Sequence, residues 1–243
     1  MTSSILKLLQ QRYTTKLWQD TPVTDAQLDY VLQCAYLAPS KMAHHSHRVV
    51  ALTNSVQGRE IKDWLFYEHT WAWDGYPAYD IPAGHQSTED RDYNGQYRAP
   101  VVLIWLSELK NARRVTVQKE VDGKIQQYTV GTPDAYQQRS DIYISATAAL
   151  LAAEEQGLNT GYGVCHHQKM VAERLGMPTY HAVVAMGMGY PADILGVERG
   201  GFSVPVLNDQ GERLGFCVAN TPPGNLHWNR DDKPSFADMM RII

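Results

Sequence analysis

Two cationic loops carry the chemistry that the chain shows most openly: Arg12-Tyr13-Thr14-Thr15-Lys16 and, one short helix later, Ala38-Pro39-Ser40-Lys41. Cations on both sides of one amphipathic helix point to a phosphorylated, anionic cofactor. On the residues alone, the competing reading is that Arg12 and Lys16 solvate a helix end, where positive charge meets the negative end of the helix dipole. Other reactive residues are less organised. His44, His45 and His47, with Cys165, His166 and His167, have ligand chemistry but no recognised metal spacing, so no metal is expected. Cys165 has no evident activating residue and is a poor nucleophile candidate. No Gly-x-Gly-x-x-Gly turn follows a strand, which argues against a separate dinucleotide domain.

The elements that must position these loops are legible in part. Ile5, Leu8 and Leu9 predict a short helix ending before Arg12. Thr24-Asp25-Ala26-Gln27 is a capping box, followed by Leu28, Val31, Leu32 and Ala35 at helical spacing, with Pro39 as the stop. Val49 to Leu52, Val101 to Leu106 and Ala182 to Met186 read as buried strands. From Asp141 to Ala153 the chain is apolar nearly all round and closes on Gly157. Such a helix needs a partner on two sides, the sheet on one and a second subunit on the other, so a homodimer is expected. A last helix, near Gln168 to Leu175, ends at Gly176 before Pro178.

Composition narrows the classes. The 243 residues, 44% hydrophobic and 20% charged, suit one domain, taken as 1–243. A net charge of -4 gives no broad basic face for nucleic acid. No apolar run approaches the roughly 20 residues that span a bilayer, so no membrane partner is expected and the location expected is cytoplasmic. Three cysteines, an odd number, fit a reducing compartment. Fourteen Tyr and six Trp against four Phe favour rings with a polar handle at wet clefts. Three segments read as additions: an aromatic cap at 64–97, a hairpin at 113–131 around Asp122-Gly123, and a C-terminal extension at 222–243.

The order of cationic loop, capped helix, Ala38-Pro39-Ser40, Ala-rich helix, Gly157-Leu158-Asn159-Thr160-Gly161 and Met186-Gly187-Met188-Gly189-Tyr190-Pro191 resembles the nitroreductase family of flavoproteins. The resemblance implies an α+β fold with an antiparallel-dominated central sheet wrapped by helices, an intertwined homodimer, and FMN in each of two clefts at the subunit interface. It implies that Arg12 pairs with the FMN phosphate through planar guanidinium donors, with Tyr13 and Thr14 beside it. Lys16 would lie at the pyrimidine edge, where a cation stabilises the reduced anionic ring. Pro39, Ser40, Lys41 and Ala43 would cover the same cofactor from the partner subunit. The segment through Gly163, Val164 and Cys165 would turn over the ring and present a backbone N–H to flavin N5. Arg230 resembles the first cation of a phosphate-binding pair, while Asp232 stands where the second is expected, leaving Lys233 as a substitute.

Where relatives carry an Asn and then Gln-Pro-Trp after the Pro-Ser loop, this chain has Ala43, His44, His45, Ser46 and His47. Histidines there could donate protons or bind an anionic substrate, and His45 is a candidate substrate contact with Trp71 and Trp73. Trp64, Phe66, Tyr67, Tyr76 and Tyr79 complete an aromatic cover for a planar acceptor. No catalytic proton donor is identified. The implied function is FMN-dependent reduction of nitroaromatic, quinone or related small aromatic acceptors by a ping-pong hydride transfer from NADH or NADPH. The alternatives are a specialised flavoenzyme of the same fold (a dehydrogenase, a dehalogenase or an enzyme that consumes its flavin) and a flavin-binding protein without turnover.

Overall fold

The computed structural model describes residues 5–41, 44–68, 94–111, 114–121, 124–131, 133–165, 167–192, 203–207 and 210–218. Strand β2, Val101–Ser107, organises them, since all seven of its residues are buried. A run of Val, Leu, Ile and Trp suits a strand covered on both faces. β2 pairs antiparallel with β1 (His47–Leu52) and with β6 (His181–Gly189), and β5 (Asn159–Val164) extends the sheet beyond β6. The strand order is β1-β2-β6-β5.

Alternation along β2 separates two apolar layers. Val102, Ile104 and Leu106 meet helix α3 (Val56–Glu68) and helix α5 (Gln168–Arg174). Val101, Leu103 and Trp105 meet α2 (Asp25–Leu37) and α4 (Ala135–Glu155). A bulge opposite the Trp105–Leu106 step shifts the register, and Val183 and Val184 both join the α2–α4 layer. The buried Trp105 indole donates to Ser145 Oγ at 3.0 Å, and Ser145 donates on to the Ala35 carbonyl at 2.9 Å. One polar relay therefore ties sheet, α4 and α2 together.

Helix α1 (Ile5–Gln11) ends before Arg12 as its sequence predicts. The α2 capping box forms, with Thr24 and Gln27 exchanging side-chain-to-backbone bonds at 3.3 and 3.1 Å. Helix α4 starts six residues earlier than its apolar run, because Asp134 and Gln137 form a second capping box. Asp141 thus lies within the helix and is 3% exposed. Its far side leaves Tyr143 and Ile144 exposed. Gly157 adopts φ +74° at the C-terminal end, where a left-handed residue closes the helix.

Three expectations change. The turn anticipated through Thr160 to Cys165 is strand β5, held in register by β6. The segment expected as an aromatic loop from Trp64 is helical as far as Glu68, because Trp64, Phe66 and Tyr67 belong to α3, with Leu65 and Phe66 in the core. Exposed Val56 and a mostly polar first turn obscure that helix in the sequence. Residues 69–93, including Trp71, Trp73, Tyr76 and Tyr79, lie outside the described residues, and a short 3-10 helix at Gly95–Arg98 leads back into β2. A second hairpin, β7 (Ser203–Leu207) and β8 (Arg213–Val218), was not expected. The first hairpin forms as expected, β3 (Arg114–Val121) against β4 (Lys124–Gly131), in the register of a two-residue connection. The C-terminal extension with Arg230, Asp232 and Lys233 lies outside the described residues, as does Ala43. No helix among the described residues is long and apolar enough to cross a membrane.

Candidate functional site

The Arg12–Trp18 segment is held by its backbone. Arg12 N–H closes α1 on the Leu8 carbonyl at 2.9 Å, and Thr15 N–H donates to the Thr160 carbonyl of β5 at 2.9 Å. A parallel bridge joins Thr14 to Thr160, and an antiparallel one joins Trp18 to Pro191. The segment approaches the sheet closely enough that a Cβ on Gly161 would stand 2.1 Å from the Thr15 carbonyl oxygen, and the 3-10 helix does likewise, since one on Gly163 would stand 2.5 Å from Gln96 Oε1. These glycines serve close approach within a strand, not a turn with positive φ.

Alternation along the extended segment sends Thr15 inward, fully buried, and leaves Arg12, Thr14 and Lys16 to share the other side. Arg12 Nη2 lies 3.5 Å from Thr14 Oγ1, while Arg12 Nε and Thr15 Oγ1 are buried without a hydrogen-bond partner among the described residues. Beneath them Thr160 Oγ1 donates to Glu154 Oε1 at 3.0 Å. Burial holds the Glu154 carboxyl above its ordinary range, and the Thr160 hydroxyl and the Arg12 charge pull it back. Tyr13 is half-buried.

At the end of β5, backbone polarity decides which N–H is available. Strand residues present their N–H and C=O alternately to either side. Thr160 and Tyr162 turn their carbonyls away from β6, accepting from Thr15 N–H and from the Gln96 side-chain amide at 3.0 Å. Cys165 N–H donates the other way, to Val183 of β6 at 3.2 Å. By that alternation Val164 N–H faces the open edge, and Gly163 N–H faces β6. The Cys165 side chain is in the core, and burial pushes its thiol up to about 12. Cys165 is thereby unsuited to thiolate chemistry, and no cluster of metal-ligating side chains occurs among the described residues.

The second cationic loop rests on α4. Asp141 Oδ1 accepts Lys41 N–H at 2.9 Å, and Ser40 Oγ accepts His45 N–H at 3.2 Å. Pro39 and Lys41 are exposed and Ser40 is half-buried. His45 takes φ 42° and stacks on Tyr36 with ring centroids 5.7 Å apart. Burial lowers the His47 pKa, opposed by the Asp141 charge and reinforced by His45 and Arg48.

A cleft of about 550 Å3 opens beside Lys16 and Trp18, with Arg59, Lys62, Arg98, Asp20 and Asp63 in its lining. Lys62 is 5% exposed, and its ammonium donates to Asn54 Oδ1 (2.6 Å) and to the Ala99 and Pro100 carbonyls (2.9 and 3.1 Å). Burial brings its pKa down to about 8. The aromatic residues of α3 do not form the expected open sandwich. Phe66 is in the core, and Tyr67 and Trp64 are covered by the guanidinium groups of Arg98 and Arg174.

Gln96, Thr160, Glu154 and Asp141 were missed from the sequence. Only Asp141 had a usable signal, the Asp134-x-x-Gln137 box that draws it into α4.

A search among curated proteins gives no match. Among solved structures, an FMN-dependent nitroreductase from Clostridium difficile R20291 superposes with a TM-score of 0.53 at 16% identity, covering 84% of this chain and 92% of that one. An iodotyrosine deiodinase bound to FMN and 3-iodo-L-tyrosine gives 0.55 at 19% identity, covering 78% and 91%. Nitroreductase A from Vibrio parahaemolyticus RIMD 2210633 gives 0.51 at 15%, covering 79% and 69%. These likenesses establish the fold. A nitroreductase family profile matches residues 9–190, three quarters of the sequence and every element from the Arg12 segment to β6, and the chain belongs to that family.

Proposed function

We propose that the protein is an FMN-dependent oxidoreductase that takes hydride from NADH or NADPH and reduces small aromatic acceptors such as nitroaromatics or quinones. The observation that carries this reading is the donor row of Arg12, Thr14 and Lys16, docked on β5 by the Thr15–Thr160 bond. At about 3.3 Å per extended residue the row spans roughly 13 Å, the scale of a ribityl phosphate joined to a flavin ring. Its chemistry fits FMN: a guanidinium with a buried, unpartnered Nε for phosphate, a hydroxyl, and an ammonium for the electron-rich ring edge. FMN, when bound, supplies the centre that accepts and returns hydride.

The chain's own residues then bind, orient and screen. Arg12 and Thr14 hold the phosphate. Lys16 stabilises negative charge at the pyrimidine edge. The outward N–H of Val164 is the donor for flavin N5, a role that Gly163 and Cys165 leave to it. Pro39, Ser40, Lys41 and Ala43 close the site from a partner subunit, with His45, Trp71 and Trp73 toward the acceptor and Arg230 toward the phosphate. Exposed Tyr36 and Leu37 on α2, with Tyr143 and Ile144 on α4, are the apolar face that supports the homodimer. A second reading, a specialised enzyme of the same fold, is favoured by the His44–His47 loop, where His45 adopts a left-handed conformation in place of an amide-bearing segment.

The test is a visible spectrum. Purified protein is expected to be yellow, or to become so with added FMN, and to bleach under NADH or NADPH. Protein that stays colourless with excess FMN would overturn the proposal, and acceptor screening after bleaching divides the two readings.

A further inference from the structure

The histidine loop and the β3–β4 hairpin meet at a second cleft. A cavity of about 210 Å3 has His44, His45, Ser46 and Arg48 on one wall and Lys110 and Pro133 on the other. Lys110 and Pro133 flank the two roots of the hairpin. Buried Gln138 forms the platform, because its amide donates to the Lys110 and Pro133 carbonyls at 2.9 Å each and accepts from the Ser107 hydroxyl at 2.7 Å. One side chain thus fixes both roots.

Several properties of this cleft call for a negatively charged occupant. The Arg48 guanidinium rests on the carbonyls of His47 at 2.9 Å and His45 at 3.5 Å and makes no ion pair among the described residues. Lys110 is matched by Glu108 at 2.5 Å, so one carboxylate in the lining faces two permanent cations. Ser46 Oγ is buried without a hydrogen-bond partner among the described residues, a condition that folded proteins seldom leave unfilled. Of the lining residues His45 is in the left-handed region, at φ 42°, and Leu109, next to Lys110 in the chain, is too, at φ 48°. Such conformations cost energy and gather at ligand clamps. Size sets the class. Pockets for whole organic ligands run to about 300–1,000 Å3. At about 210 Å3 this one accommodates a single oxyanion group and not a dinucleotide.

We propose that the cleft is a second binding site, for a small oxyanion, with Arg48 and Lys110 as its charged donors and the Ser46 hydroxyl as its neutral one. Free phosphate and the carboxylate of an organic acid share this chemistry. Its donors Arg48, Lys110 and Ser46 are not among the residues assigned to the flavin, and of the acceptor contacts only His45 borders the cleft.

Calorimetric titration of the full chain with sodium phosphate and with sodium acetate, at fixed ionic strength made up with chloride, tests it. Saturable binding of either anion is expected, with phosphate alone indicating a phosphate site and acetate as well a carboxylate site. Arg48→Gln and Lys110→Gln should each weaken binding by about tenfold, the worth of a charged hydrogen bond. Ser46→Ala should weaken it less. No saturation with either anion, or unchanged affinity in both charge variants, would overturn the site. Circular dichroism checks folding, and Lys110→Gln carries the test if Arg48→Gln does not fold. Flavin absorbance of the same samples separates the two proposals, since colour lost while anion binding persists concerns FMN alone.

Discussion

The Arg12–Trp18 segment and the Ser40–Arg48 loop both bring cations to the central sheet, and they are held in opposite ways. The first is secured main chain to main chain, by Thr15 on Thr160 and by Gln19 and Ala192 across the Trp18–Pro191 bridge. Its outward side chains take no part in those bonds. The second is held by side chains, the Asp141 carboxylate on Lys41 N–H and the Ser40 hydroxyl on His45 N–H. Around it Ser46 Oγ, His47 Nδ1 and Asp141 Oδ2 have no hydrogen-bond partner among the described residues. Backbone pairing tolerates changes of side chain so long as the strand beneath stays small. Side-chain anchoring does not, because each support is one replaceable group.

The largest break in this contrast is expected at the floor of the first region. Gly161→Ala would drive a Cβ against the Thr15 carbonyl oxygen at 2.1 Å, with Gln96 Cγ at 2.8 Å. Overpacking against backbone should cost about 3 kcal/mol and lower Tm by about 6–12 °C, with loss of flavin colour. A variant with unchanged melting would show that the segment does not sit on β5. Arg12→Ala should leave Tm nearly unchanged and weaken FMN by about ten- to hundredfold in a fluorescence titration, the worth of one or two charged hydrogen bonds. Equal affinity would remove the guanidinium from the phosphate site.

Asp141→Ala should cost about 1–2 kcal/mol by denaturant unfolding, since the Lys41 N–H loses a charged acceptor. If stability holds, the loop is supported elsewhere. The smallest effect is the pH slope from His47. Its folded pKa lies below the ordinary imidazole value because burial disfavours the charged form. The unfolded chain therefore binds the proton more readily, and stability falls as pH drops through about 6.5. His167 and His181, also lowered by burial but more exposed, add in the same direction. A pH series of melting curves should be flatter for His47→Gln, and an unchanged slope would assign the effect to the other two.

Much of the scaffold was legible where one local rule sufficed. Thr24 with Gln27, Pro39 and Gly157 mark helix ends through hydrogen bonds and φ preferences that act within a few residues. Val101 to Leu106 reads as a covered strand because both faces are apolar. Helix α3 was hidden because its buried residues, Ile61, Leu65 and Phe66, sit in a mostly polar segment whose period only the opposing layer completes. In the sequence β5 reads as a turn because glycines at 161 and 163 signal freedom, while their use here is to let Thr15 and Gln96 approach. In the site, the types of Arg12, Thr14 and Lys16 were enough to suggest phosphate chemistry. Their support by Thr160, Glu154 and Gln96 was not visible, since those residues are far from them in the chain.

By itself the sequence determined the family, the helix caps, the buried strands and the cationic residues, because propensity, period and charge are properties of neighbours along the chain. Only the tertiary structure decided that Cys165 is a core residue, that at the end of β5 Val164 and not Gly163 or Cys165 has the outward N–H, and that Asp141 anchors the second loop. Burial and hydrogen-bond direction depend on what lies across the sheet, and pairing across space is not written in any local window.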